Sequence, residues 1–386
     1  MFKKIIIHKY GGKSLSNIEN IKKISIFIKN HYKNSYKICV VVSAILNVTD
    51  NLIKLSKQLS NNPVNRELDM LLSCGEKQSI SLLSISLNNI DVPTVSLTGS
   101  QAGIFTTNNH IDSKIIFIKN ERLVFELGLN KVVIIAGFQG ISINREITTL
   151  GRGGSDITAV AISISLCAIK CEIYTDIQGI YCIDPKIVNN NYLFNNLNYS
   201  EAIFSSCYGF KILNGNSVFL AKNNNLLVGS YGTNFFKNGT FLSSFKTNFF
   251  SFNNFFCFSY EKNFVLVKIE SLEVFLFFLF FIKILNINFK QFFFYSNSFF
   301  LLISTSYEYL CKFFFLIIIF FFKNVTILSL KYKNNISNFN YFFLFFFNSL
   351  IYKQVKFLLL NYNSFKINFI IFTEDIFFLF KSISFF

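Results

Sequence analysis

Short apolar runs alternate with stretches of helical periodicity from Lys4 to Thr175, and this alternation constrains the fold more than any other feature of the chain. Lys4–Lys9, Lys37–Ser43, Val92–Leu97, Lys131–Ala136 and Glu172–Thr175 read as strands. Between them Ser16–Asn30, Thr49–Asn61, Arg66–Asn89 and Ser155–Ile169 read as helices. Lys131–Ala136 in particular is a continuous apolar run, the pattern of a strand covered on both faces of a parallel sheet. The sequence therefore predicts an α/β fold with a central, mainly parallel sheet between helices. In such folds ligands bind at loops following the C-terminal ends of strands.

Two of those loops are rich in glycine. Leu150 to Asp156 reads LGRGGSD and runs straight into a helix. Glycines at 151, 153 and 154 let the backbone turn with positive φ and approach a ligand closely. A loop of this kind at a helix N-terminus offers free N–H groups and a positive dipole end to a phosphate or carboxylate. Arg152 adds a bidentate fork, and Asp156 suits a partner for Mg²⁺ or a lysine. Taken alone, the stretch is equally a strand–helix turn with a charged tip. The second loop repeats the arrangement: Ile5 to Ser14 is an apolar run, then Lys9, then Gly11-Gly12, then Ser14 opening a helix. Neither GxxxxGK[ST] nor GxGxxG is present, so these are not the familiar nucleotide loops.

Seven motifs stand in order along this region: Lys9-Tyr10-Gly11-Gly12, VVSA at 41–44, LLSCGE at 71–76, TGSQAGI at 98–104, AGFQGI at 136–141, LGRGGSD at 150–156 and EIYTDIQGIYCIDPKIV at 172–188. From residue 3 to residue 240 this order resembles the bacterial aspartate kinases, a branch of the amino-acid kinase family. The resemblance implies that family's fold. It also implies transfer of the γ-phosphate of MgATP to the β-carboxylate of L-aspartate, the step that opens lysine, diaminopimelate, threonine and methionine biosynthesis. Catalytic roles are implied for Lys9, neutralising charge on the moving phosphoryl group, and for Asp156, orienting Lys9 or the substrate amine. Ser43, Thr49, Glu76, Arg152, Gly153, Gly154 and Ser155 match positions that hold the amino acid, with Glu76 on its ammonium and Arg152 on its α-carboxylate. Lys9, Tyr10, Gly11, Gly12, Thr175, Asp176, Tyr181, Asp184, Pro185, Lys186 and Lys211 match positions that hold ATP. Mg²⁺ arrives with the nucleotide, and no separate metal site is implied.

The chain departs from the pattern in places. Lys13 replaces a small hydroxyl residue and puts a cation beside the phosphate loop. Ser100 replaces a usual tryptophan, and Asn214-Gly215 replaces a His-Pro pair. Lys186 stands where the family has arginine, which keeps the charge but loses the fork. None of these removes a charge-bearing catalytic group.

Past Gly239-Thr240 the character changes. Residues 1–240 are expected to form the catalytic domain and the Phe/Asn/Ser-rich residues 241–262 a linker. Phe264–Ile269 reads as a strand, Leu272–Leu285 as a helix, and Asn288–Tyr295 and Phe299–Thr305 as strands. A similar order recurs in Val325–Leu330, Phe339–Leu350, Val355–Asn361 and Phe365–Phe372, with a last helix at Thr373–Ser382. Two such units, 263–323 and 324–386, match by pattern and position a pair of ferredoxin-like α+β ACT domains. ACT domains imply a homo-oligomer and an effector site for lysine or threonine. The degraded sequence of this region predicts that inhibition by either has been lost.

Composition removes other classes. The net charge is +16, yet the basic residues are scattered lysines with no block and no nucleic-acid motif, so no nucleic-acid partner is expected. The longest apolar runs, Val274–Ile282 and Phe313–Phe322, fall short of the roughly 18–20 residues that span a bilayer. No membrane association is expected, and a cytoplasmic location is. The eight cysteines form no CxxC pair or zinc spacing, and only three histidines exist, at 8, 31 and 110. Metal catalysis through histidine and a Ser-His-Asp site are therefore not expected. Three rivals stand: a glutamate, acetylglutamate or carbamate kinase of the same fold, an inactive amino-acid-sensing subunit, and a membrane-associated structural protein.

Overall fold

The computed structural model describes residues 4–34, 36–181, 193–206, 213–233, 239–244, 255–269, 272, 276, 289–295, 298–304, 320–333, 357–363 and 366–372. They fall into two compact units, Met1–Ile180 with Leu193–Thr247, and Tyr181–Tyr192 with Asn248–Phe386.

The first unit is built on β1 (Ile5–Tyr10), β2 (Lys37–Val42), β3 (Thr94–Leu97), β6 (Val132–Ala136), β9 (Lys170–Thr175), β12 (Asn196–Asn198), β13 (Val228–Gly232) and β14 (Thr240–Ser243). They make an eight-stranded sheet in the order β12-β14-β13-β9-β1-β2-β6-β3. Every pairing is parallel except that of β13 with β14. The helices are α1 (Ile18–Lys33), α2 (Val48–Leu59), α3 (Asn65–Asn88), α4 (Glu121–Gly128), α5 (Gly154–Ser165), α6 (Tyr199–Ser206) and α7 (Gly215–Asn223). Asn17 caps α1 by accepting from Asn20 N at 2.8 Å, as an asparagine before a helix should.

Alternation along each strand decides which face a residue serves. Tyr10, Val40, Val42 and Ile134 turn to one face and pack with Ile24 and Ile28 of α1 and Leu83 of α3. Tyr10, Tyr174 and Tyr231 stand opposite one another on β1, β9 and β13 and stack at centroid spacings of 5.0 and 5.6 Å. Lys9, one residue earlier, turns to the opposite face and meets α5. The expected strands and helices of this unit lie within a few residues of the observed ones.

A second sheet was not anticipated. β4 (Ile104–Thr106), β5 (Ile115–Ile118), β7 (Gln139–Ser142) and β8 (Ile147–Thr149) pair in the order β5-β4-β7-β8. A ribbon of β10 (Ile180–Tyr181) and β11 (Leu193–Phe194) completes the set.

The second unit contains β15 (Phe255–Ile269), β16 (Phe289–Tyr295), β17 (Ser298–Ser304), β18 (Phe320–Lys333), β19 (Phe357–Asn363) and β20 (Lys366–Phe372). Their order is β16-β17-β15-β18-β20-β19, antiparallel throughout. The sheet is a repeat: in each half a long first strand pairs with the second strand of a hairpin, and the two first strands join the halves. These are the strands expected of two ACT-type units. The segment read as a linker, 241–262, instead carries most of β14 at one end and the start of β15 at the other. Its Phe/Asn/Ser composition concealed strand residues that owe their order to pairing. Of the helix expected at Leu272–Leu285 only residues 272 and 276 are described, and both are helical. Those expected at Phe339–Leu350 and Thr373–Ser382 lie outside the described residues.

Candidate active site

β9, β1, β2 and β6 are neighbours in the sheet, so the loops after them converge. Backbone bonds stitch them together: Gly11 N donates to Tyr174 O at 3.3 Å, Ser43 N to Tyr10 O at 3.1 Å, Leu46 N to Gly12 O at 3.2 Å and Gly137 N to Val42 O at 3.0 Å.

Lys9 Nζ lies 2.6 Å from Asp156 Oδ1, with both side chains largely buried. Asp156 sits in the first turn of α5, where a carboxylate suits the helix dipole. A Cβ on Gly11 would stand 3.7 Å from Lys9 Nζ, so the bare glycine leaves open the space beside the ammonium. Gly153 caps α5 at φ +77°, and a Cβ there would lie 2.1 Å from Asn214 Nδ2. Only glycine fits this position. The residues thus fit a polyphosphate: a glycine-lined recess, a cation beside it and a helix N-terminus.

Glu76 is buried in the middle of α3. Its Oε1 accepts from Ala44 N at 3.0 Å, while Oε2 is enclosed with no hydrogen-bond partner. Gly75 permits this approach, since a Cβ there would come within 2.8 Å of Ala44 Cβ. Burial pushes the Glu76 pKa up to about 7, against the opposing pull of the Ala44 N–H. No donor among the described residues reaches this oxygen.

Arg152 is exposed and forms no ion pair among the described residues. Its carbonyl accepts from Asn214 Nδ2 at 2.8 Å. The Asn214 side chain also caps α7 by accepting from Asn216 N at 2.9 Å. Ser43 and Thr49 are half-buried, in the loop after β2 and in the first turn of α2. Ser155 and Gly154 are buried in the first turn of α5. Thr175 Oγ1 is engaged with both backbone groups of Ile177, and Asp176 Oδ2 takes Lys13 Nζ at 2.6 Å. The departure at Lys13 therefore has a structural partner across β1 and β9. The Tyr10 ring is fully buried in the tyrosine stack facing α1, so only its backbone reaches the loops. Tyr181 is half-exposed on β10. Asp184, Pro185, Lys186 and Lys211 lie outside the described residues.

Sequence reasoning missed Asp69. It is wholly buried on α3, seven residues before Glu76 and so on the same helix face. It accepts from Thr149 Oγ1 at 2.5 Å and from Ile111 N at 3.1 Å, and His110 Nδ1 lies 2.8 Å away. These bonds fix the loop around Ile111, whose Asp112 packs on Gly151 at the head of the LGRGGSD loop. The Leu68-Asp69-Met70 context offered no signal, because the partners lie far off in sequence.

A mainly parallel sheet whose strand ends gather two glycine loops, a lysine–aspartate pair and a helix N-terminus is an α/β arrangement suited to an anionic ligand. The sequence profile of the amino acid kinase family matches residues 4–226, and the chain belongs to that family. Over 219 residues it is 43% identical to the aspartokinase of Geobacillus stearothermophilus, covering 57% of this chain and 54% of that protein. Over 214 residues it is 39% identical to the aspartate kinase of Pseudomonas putida, covering 55% and 52%. The chain thus aligns with about half the length of these curated relatives. Escherichia coli aspartokinase III, solved in complex with lysine and aspartate, has the same fold: TM-score 0.77 at 18% identity over 98% of each chain.

Proposed function

We propose that this chain is an aspartate kinase, taking MgATP and L-aspartate to ADP and 4-phospho-L-aspartate. The observation that carries the reading is the buried Lys9–Asp156 pair between the two glycine loops, together with a Glu76 Oε2 that is buried and has no hydrogen-bond partner among the described residues. The likeness to aspartokinases across this same region supports it.

In this reading a β-carboxylate oxygen of aspartate attacks the γ-phosphorus, the bond to the ADP oxygen breaks, and a mixed anhydride forms. Such transfer asks the protein for positioning and charge neutralisation. Lys9 supplies the cation at the transferring group, and Asp156, 2.6 Å away, fixes its direction. Glu76 takes the substrate ammonium and Arg152 the α-carboxylate, which selects an α-amino acid over a plain diacid. Ser43, Thr49 and Ser155 complete that subsite. Thr175, Asp176 and the residues after them serve the nucleotide, with Mg²⁺ bound as part of the substrate. The enzyme works in the cytoplasm, assembles through its ACT-type sheet and is no longer inhibited by lysine or threonine.

ADP release measured with aspartate, glutamate, N-acetylglutamate and carbamate in turn tests the assignment. Turnover with aspartate alone supports it. Preference for another acid assigns the sister activity, and no turnover from folded, ATP-binding protein assigns an amino-acid-sensing subunit.

A further inference from the structure

Behind β1, on the face away from Lys9, lies a polar cluster that the proposed chemistry does not use. His8 is fully buried, and its Nε2 stands 3.1 Å from Glu172 Oε2 without an aligned hydrogen bond. The His31 ring meets the His8 ring edge-on at 5.1 Å. Its Nδ1 lies 3.1 Å from Phe27 O, so a donated N–H there leaves Nε2 bare. One ligand atom from each of His8, His31 and Glu172 lies within 4.8 Å of the others. Two of the chain's three histidines meet here, from β1 and from the last turn of α1.

We propose that His8, His31 and Glu172 form a binding site for a late first-row divalent metal ion, independent of the kinase assignment. Two imidazoles and a carboxylate suit Zn²⁺, Co²⁺ or Ni²⁺ and discriminate against Mg²⁺. The surrounding groups are those that orient metal ligands. Phe27 O fixes the His31 ring, the Tyr10 hydroxyl lies 3.3 Å from His8 Nδ1, and the Tyr174 hydroxyl donates to Glu172 Oε2 at 3.0 Å. Tetrahedral ligation at about 2.0–2.1 Å puts donor atoms roughly 3.3 Å apart, so the cluster must draw in. His31, half-exposed at the helix end, is the ligand free to move and marks the entry path. Lys170 Nζ now holds Glu172 Oε1 at 2.5 Å and is partly exposed. It can turn to solvent and yield the carboxylate to the ion. A bound ion would pin α1 to β1 and β9.

Titration of the full, reduced chain with Co²⁺ in excess Mg²⁺, followed by visible absorption and thermal unfolding, tests the site. One equivalent should give the d–d bands of a tetrahedral nitrogen–oxygen site and raise the unfolding midpoint, and His31→Gln should lose both. No band in the parent chain overturns the proposal. So does a band that survives in His31→Gln, or a thiolate charge-transfer band marking capture by cysteines.

Discussion

Glu76 is the residue on which the chemistry and the stability of the fold pull in opposite directions. Its pKa in the fold is about 7, above the ordinary 4.5, because burial disfavours the charge. The folded state therefore binds the extra proton, and the stability this confers is full below the ordinary value and lost as pH rises through about 7. Glu76→Gln keeps a neutral side chain at every pH. It should abolish aspartate-dependent turnover yet stabilise the protein near pH 8, by at most on the order of 3 kcal/mol, with almost no gain near pH 4. Thermal unfolding at both pH values reads the difference. In the parent enzyme kcat/KM for aspartate should fall as pH drops below about 7, because a protonated Glu76 cannot pair with an ammonium. Lys9→Met should lower kcat by about 10²–10³-fold, the scale of removing one preorganised charge donor. Lys9, Glu76, Arg152 and Asp156 stand out in the sequence as candidates because each sits inside a short glycine-marked motif, and of these the structure pairs Lys9 with Asp156. The Lys13–Asp176 pair was not legible there, because its members are 163 residues apart. Nor was the buried Tyr10 ring, since a motif does not tell which face of its strand a residue takes.

Among the elements, α3 carries Glu76 and α5 carries Asp156, and each is tied by side-chain hydrogen bonds to segments elsewhere in the fold. Asn214 caps α7 and bonds the Arg152 carbonyl. Asn214→Ala should cost about 1 kcal/mol for the lost cap and raise KM for aspartate more than it lowers kcat, through the loosened arginine loop. Steady-state kinetics beside denaturant unfolding separates the two effects. Asp69→Ala leaves Thr149, Ile111 N and His110 without their common acceptor and should cost about 3 kcal/mol. Asp69→Asn, which keeps one acceptor oxygen, should recover part of that loss. Five strands of the central sheet, β1, β2, β3, β6 and β9, were legible as short apolar runs, whereas β12, β13 and β14 were not read as strands. β4, β5, β7 and β8 were not, because strands of three or four residues are too short to show a period.

For the whole molecule, the strands of the second unit were legible in their order along the chain, and the pairing of β15 with β18 at the middle of the sheet was not. A strand's partner across the middle of a sheet leaves no mark in its own sequence. No helix among the described residues is long and apolar enough to cross a membrane. Millimolar lysine and threonine, alone or together, should leave turnover unchanged, and inhibition by either would reject the predicted loss of control. An ATP-dependent hydroxamate assay on the intact chain, Lys9→Ala and Arg152→Ala tests the aspartate kinase assignment and its site together. Hydroxamate should form from L-aspartate and not from L-glutamate, and both variants should lose it. Product from glutamate in preference to aspartate, or undiminished product from either variant, would contradict the account.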